Sequence, residues 1–240
     1  MSFLLVGEGQ RYLCAPGEEL NTDKGILAVP TDAAPGDIVE THLGEPFTVH
    51  ELRGPDFFHH FDRTGAPMLP RDAGLIIGET GAGAEDDVLD AGTGTGILAA
   101  YLGHVGASVT SYEVNPEFAD VARANLTLAG VASRVEVVTG DVTAALDELG
   151  TFDVLTLDTA DAPTVVAAAS DLLRPGGAVA VYAPFVEHAR AAERAAIEAG
   201  LADVRTMETI QREMDFDDRG SRPTPSGVGH TGYLTFARRR

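Results

Sequence analysis

Residues 88–98 read VLDAGTGTGIL. An apolar run passes into Asp90 and then into glycines at 92, 94 and 96, and an apolar helical pattern (GILAAYLGHVG) follows at once. A strand that ends in a glycine loop and restarts as a helix is the ligand-holding corner of a doubly wound α/β sheet, because ligands sit where strands present their carboxyl ends. Glycines there let the backbone turn tightly and approach a ligand closely.

The pattern on either side agrees. Downstream, SVTSYEV, RVEVVTGD, FDVLTLDT, GGAVAVYAP, DVRTMETI and HTGYLTFARR read as strands. NPEFADVARANLTLAG, TAALDEL, APTVVAAASDLL and FVEHARAAERAAIEAG read as helices between them. Asn115 is placed to cap the first of these, with Pro116 in its first turn and Gly130 just past its end. Alternation of this kind predicts a doubly wound sheet. Only the loop 211–229 separates the last two strands, which are therefore expected to pair as a hairpin. Upstream, FLLV, YLCAP, GILAVP, DIVETHL and FTVHEL are short β-like runs cut by turn signals, a small β domain. Residues 53–77 are a proline-broken connector leading into a short helix near Asp72–Glu79. The expected division is a β domain over 1–60, a linker with a short helix over 61–84, and the main domain over 85–240.

Composition narrows the setting. No apolar run approaches the roughly 20 residues that span a bilayer, and MSFLLVGEGQ lacks the basic start of a signal peptide, so a cytoplasmic protein is expected. Cys14 is the one cysteine, which excludes an internal disulfide and a multi-cysteine metal site. His59 and His60 read as linker packing, and no metal is expected. The formal net charge is -20, with Lys24 the one lysine. Spread along the whole chain, this acidity fits a salt-adapted, halophilic cytosol. In molar salt the Debye length falls to about 3 Å, so the charge does not exclude an RNA partner.

The glycine spacing excludes the dinucleotide fingerprint, whose third glycine comes one position later. It resembles motif I of the class I S-adenosylmethionine-dependent methyltransferases. Acids at successive strand ends suit that cofactor: Asp90 near the cationic end, Glu113 accepting from both ribose hydroxyls, and Asp141 accepting from the adenine amine with Val142 beside it. The fold class implied is a Rossmann-like seven-strand sheet with the small N-terminal β domain attached. The cofactor-binding set expected is Asp90, Gly92, Thr93, Gly94, Thr95, Gly96, Glu113, Val114, Asp141, Val142 and Asp158.

The two ends of the chain speak to the acceptor. RPTPSGVGHTGYLTFARR (222–239) closely resembles the C-terminal signature of the TrmI-type tRNA (adenine-N1)-methyltransferases, and NTDKGIL, THLGEPFTV and PRDAGLII are similar to words of that family's β domain and linker. The resemblance implies methyl transfer to adenine N1 in the T-loop region of tRNA, at position 57 and/or 58, by a homotetramer. It implies Asp158 as the catalytic acid facing the adenine, and it makes Arg222, His230 and Tyr233 candidates for RNA contact, with Arg222 expected in a loop. The chain departs from the family at two places. Pro163 follows Asp158 by five residues with no tryptophan after it, and GAPMLP (65–70) replaces a TQIIYP-like segment that helps to cover the methionine end of the cofactor. Asp161 is the alternative to Asp158. Alternative functions are a methyltransferase acting on protein isoaspartate or on a small molecule, or an inactive RNA-binding paralogue.

Overall fold

The computed structural model describes residues 2–227 and 229–240. The N-terminal part holds β1 (Phe3–Gly7), β2 (Gln10–Cys14), β3 (Glu19–Thr22), β4 (Gly25–Ala28), β5 (Ile38–Glu40) and β6 (Pro46–Glu51). Four of them form an antiparallel sheet in the order β2-β1-β6-β5, and β3 pairs with β4 alone. Side chains alternate across a strand. Phe3 and Leu5 accordingly enter a local core with Leu27, Val39, Phe47 and Val49, while Leu4 between them joins the main core. β1 thus ties the small sheet to the rest of the chain.

The connector is more ordered than the sequence reading allowed. It forms α1 (Gly54–His60) and α2 (Pro70–Thr80). α1 starts with Pro55 in its first turn, and Asp56 accepts from the Arg53 backbone at 2.9 Å. Its Phe57 is fully buried, edge-on to Tyr101 at 5.7 Å. α2 ends at Gly81 in the left-handed conformation, the residue type that tolerates it.

The remainder is β7 (Asp87–Ala91), α3 (Ile97–His104), β8 (Ser108–Glu113), α4 (Pro116–Leu128), β9 (Val135–Thr139), α5 (Val142–Ala145), β10 (Phe152–Leu157), α6 (Ala162–Ala167), α7 (Ala169–Leu172), β11 (Leu173–Ala183), α8 (Val186–Glu198), β12 (Ala202–Glu208), β13 (Met214–Asp217), β14 (Gly220–Pro223) and β15 (Tyr233–Arg238). Seven strands form one sheet in the order β12-β15-β11-β10-β7-β8-β9, parallel except for β15. The order reverses beside β7, so the loop after β7 lies at the switch point. Both faces are covered. In β7, Val88 enters the cluster that includes α3 and α4, and the next residue, Leu89, enters the cluster that includes α6 and α8. This explains the unbroken apolar run in the sequence.

Asn115 caps α4 by accepting from Glu117, with Pro116 at its start. β12 and β15 pair antiparallel, as expected of the last two strands. The segment between them is not a plain loop: it carries the β13–β14 hairpin. The predicted helix over APTVVAAASDLL is split into α6 and α7, and the TAALDEL helix is reduced to the four residues of α5. No helix among the described residues is long and apolar enough to cross a membrane.

Candidate active site

Backbone geometry at the end of β7 sets the site. Gly92, Gly94 and Gly96 all have positive φ, at 90°, 53° and 80°, a region that L side chains enter at a cost. Gly92 is the tightest. A Cβ built there falls 2.0 Å from the Asp158 carbonyl oxygen. The loop is therefore pressed onto the end of β10, where the Asp158 N–H donates to the Ala91 carbonyl at 2.8 Å. Thr93 and Thr95 are buried within the loop.

Acids converge beneath and beside this loop. Asp90 is 3% exposed. The Ser111 hydroxyl donates to one of its oxygens at 2.5 Å and the Thr156 hydroxyl to the other at 2.6 Å, and Thr93 meets Ser111 at 2.5 Å. Burial pushes the Asp90 carboxyl up, the two hydroxyls oppose this, and the charge of Glu113 adds to the rise. Asp90 thus clamps the ends of β7, β8 and β10 from behind the loop, and its oxygens face those hydroxyls rather than the open cleft. Glu113, at the end of β8, accepts from the Gly94 N–H at 2.9 Å and from the Asn115 N–H at 3.0 Å. A carboxylate has about four acceptor positions, so two such bonds orient it without exhausting it. Val114 beside it is exposed. Asp141 follows β9 and caps α5, its Oδ1 accepting from the Thr143 N–H at 2.8 Å and the Thr143 hydroxyl at 2.7 Å. Those bonds hold its carboxyl below the usual range. The Val142 side chain is buried in the core.

A cleft of about 160 Å³ opens against the loop, lined by Gly92–Thr95, Asp158, Thr64–Ala66, Met68 and Phe118 among others. A larger cavity of about 680 Å³ lies at the opposite, amino ends of the parallel strands, lined by Asp87, Ser108, Arg134 and Phe152. It lacks Asp158 and the glycine loop, and ligands of such sheets bind at the carboxyl ends. The smaller cleft is therefore the candidate site.

Asp158 stands on its wall. Solvent reaches the residue through the cleft, but protein crowds it from behind. That crowding, with the charge of Asp90, pushes its carboxyl up to about 7; water in the cleft opposes the rise without reversing it. Asp161 is exposed at the start of α6 and does not line the cleft. The replaced segment 65–70 supplies Gly65, Ala66 and Met68 to the opposite wall.

Among the C-terminal candidates, Tyr233 opens β15 opposite Ala183, at the carboxyl end of β11. His230 lies 5.0 Å from the Tyr233 ring. Its Nδ1 contacts a Glu208 oxygen at 2.6 Å, and that bond raises the imidazole pKa. Both residues are therefore on the site's side of the sheet. Arg222 lies on β14, exposed and opposite Asp215, in the hairpin that joins β12 to β15 rather than in a loop, and it does not line the cleft. The turn signal DDRG at 217–220 closes that hairpin and was available in the sequence. Val228, in the same block, lies outside the described residues.

One residue escaped the sequence reading. Asn125, buried on α4, donates from Nδ2 to the Asp62 and Thr95 carbonyls, both at 2.9 Å, and accepts from the Asp62 N–H at 3.1 Å. It staples the connector to the glycine loop. Nothing local marks it beyond a polar residue on the apolar face of α4.

Comparison with known proteins adds to this geometry. Residues 88–177 match the family model of a methyltransferase domain. The tRNA (adenine(57)-N(1)/adenine(58)-N(1))-methyltransferase TrmI of Methanocaldococcus jannaschii is 34% identical over 98% of this chain and 94% of its own. A SAM-dependent O-methyltransferase of Thermotoga maritima superposes with a TM-score of 0.80 at 26% identity, over 99% of this chain and 92% of that one. The tRNA (m1A58) methyltransferase TrmI of Aquifex aeolicus gives 0.77 at 23% identity, over 100% and 97%.

Proposed function

The chain belongs to the TrmI-type tRNA (adenine-N1)-methyltransferases, and from that premise we propose that it transfers a methyl group from S-adenosylmethionine to N1 of an adenine in the T-loop region of tRNA, with Asp158 as the acid that meets the base. The observation that carries this reading is Asp158 on the wall of the cleft, bonded through its backbone to the end of β7 and pressed against Gly92.

The residues fit the cofactor. Gly92–Thr95 line the cleft with backbone that the close packing of Gly92 on Asp158 holds in place, a cradle for the methionine part. Glu113 keeps acceptor capacity for the ribose hydroxyls, and Asp141 for the adenine amine. Asp90 is held behind the loop by Ser111 and Thr156, where a cationic ligand would favour its carboxylate form. When bound, S-adenosylmethionine supplies an electrophilic methyl group on a cationic sulfur.

The chain's own residues act on the acceptor. Adenine N1 is already nucleophilic, so alignment and charge handling are the work left to the protein. Asp158 accepts a hydrogen bond from the exocyclic amine, raises electron density at N1, and stabilises the cation formed there. Its raised pKa means that a bound cation in the cleft draws it into the carboxylate form. Met68 and Ala66 narrow the opposite wall against water. His230 and Tyr233 offer ring faces for RNA at the rim.

We read the protein further as a cytoplasmic homotetramer in a salt-adapted cell. The net charge of -20 supports the salt adaptation. Met214 and Phe216, exposed on a two-stranded hairpin, support assembly, since such a hairpin is marginal alone. The test of function is transfer of label from S-adenosylmethionine to unmodified tRNA transcript in molar KCl, beside an isoaspartyl peptide. Label recovered as 1-methyladenosine supports the reading; label in the peptide alone overturns it.

A further inference from the structure

Asp72 buries its carboxyl in the first turn of α2, 3% exposed. A buried carboxyl costs stability unless its oxygens find donors. Here one oxygen does not: among the described residues Oδ2 meets no hydrogen-bond donor. Stability alone does not account for an acid at this place.

Its surroundings lead to the active site. The Arg71 guanidinium lies 3.7 Å from Asp72 Oδ1, itself nearly buried, and donates to the Thr231 hydroxyl at 3.0 Å. Arg71 thus stands between the Asp72 carboxyl and the Thr231 hydroxyl and couples α2 to the C-terminal segment. The Thr231 carbonyl accepts from the Tyr182 hydroxyl at 2.7 Å. The next residue, Gly232, lies flat on the Tyr182 ring: a Cβ there would sit 2.6 Å from the ring and 2.9 Å from the Ala183 carbonyl. On the other side His230 is held by Glu208 and, at 3.3 Å, by the Pro184 carbonyl. Tyr182 follows Val181, which pairs with Leu157, so it stands on the strand beside Asp158. α2, the strand ends and residues 230–233 are thus joined at one point, and that point is next to the cleft.

We propose that Asp72 is a positioning residue: acting through Arg71 and Thr231, it fixes residues 230–233 and the Tyr182 ring in the arrangement that the acceptor base meets beside Asp158. The inference rests on the tRNA reading for its acceptor, whereas the clasp itself is a property of the free protein. Two readouts separate them. The first is backbone hydrogen exchange over residues 229–233 in the full-length protein without ligand. The second is kcat for 1-methyladenosine formation, with the Kd for S-adenosylmethionine measured alongside.

In Asp72→Asn and in Thr231→Val, exchange of that segment rises tenfold or more and kcat falls tenfold or more, with the cofactor Kd within threefold of wild type. Thr231→Ser, which restores the hydroxyl, returns both towards wild type. The double variant is no worse than the poorer single one, since both changes cut one link. Unchanged exchange overturns the clasp. So does a loss of kcat matched by an equal loss of cofactor binding, or one that follows the unfolded fraction in thermal melts. Wild-type protein that forms no 1-methyladenosine sinks the tRNA reading instead, and exchange alone then decides the clasp.

Discussion

Replacing Gly92 by alanine tests the geometry on which the site depends. The added Cβ falls 2.0 Å from the Asp158 carbonyl oxygen, whereas ordinary contact begins near 3.4 Å, so the two segments must separate by about 1.4 Å. The obstacle is backbone and does not swing away. Separation strains or breaks the bond between the Asp158 N–H and the Ala91 carbonyl, now 2.8 Å. Three costs combine: roughly 1–2 kcal/mol for a side chain at φ 90°, about 1–3 kcal/mol for overpacking and about 1 kcal/mol for the hydrogen bond. A destabilisation of roughly 3–6 kcal/mol corresponds to a fall in Tm on the order of 10 °C or more for a chain of this size. Because the displaced residue is Asp158, methylation suffers even in protein that remains folded. Gly150→Ala is the control, since a Cβ there meets nothing within 4 Å, and its Tm should stay near wild type. The assay is calorimetric melting with S-adenosylmethionine titration of each protein. Gly92→Ala melting within about 2 °C of wild type, with unchanged cofactor Kd, would refute the reasoning.

Other outcomes follow from the same structure. The Asp158 carboxyl, pushed up to about 7 in the free protein, makes kcat/KM rise about tenfold from pH 6 to pH 8 as the carboxylate forms; Asp158→Asn should lose this limb, and a limb that persists in the variant counts against the assignment. The same raised pKa means stability full below the unfolded value and declining as pH rises through about 7. Asp158→Asn should therefore melt above wild type at pH 8, with the gap closing towards pH 4. Glu113→Gln keeps the shape but sets an amide against the Gly94 and Asn115 N–H groups, so cofactor affinity measured by calorimetry should drop tenfold or more. Asn125→Ala removes three hydrogen bonds, one buried and two part-buried, and should lower stability by about 2–4 kcal/mol in denaturant melts, loosening the connector before the sheet.

The sheet was legible because its signals are local. Alternating strands and helices, the spacing of Gly92, Gly94 and Gly96, and the Asn115–Pro116 cap each lie within a few residues of what they decide. What escaped is non-local or polar. Asp90 reads in the sequence as an acid near the cationic end of the ligand, with no sign of its partners. Ser111 and Thr156, 21 and 66 residues away, turn it into a clamp behind the loop, and no short stretch reveals that. Asn125 reaches Asp62 and Thr95 across the fold in the same way. α1 was hidden by its proline and its aromatic run, although Asp56 three residues after Arg53 was a usable start signal. β3 (ELNT) is too polar to announce a strand, and the hairpin that carries Arg222 has strands of four residues, MDFD and GSRP, too short and polar to stand out from a loop. The C-terminal block places His230 and Tyr233 at the carboxyl end of the sheet. Only the structure shows that Thr231 meets both Tyr182 and Arg71 of α2.

The central claim is that Asp158 meets the target base in the cleft beside the glycine loop. It is tested most directly by single-turnover methylation of tRNA transcript at saturating S-adenosylmethionine, comparing wild type with Asp158→Asn and reading 1-methyladenosine in the digested product. The account predicts a rate at least about a hundredfold lower, the usual scale for a lost acid–base or charge-stabilising group, with cofactor Kd within a few-fold of wild type. A variant that methylates adenine within threefold of the wild-type rate contradicts it.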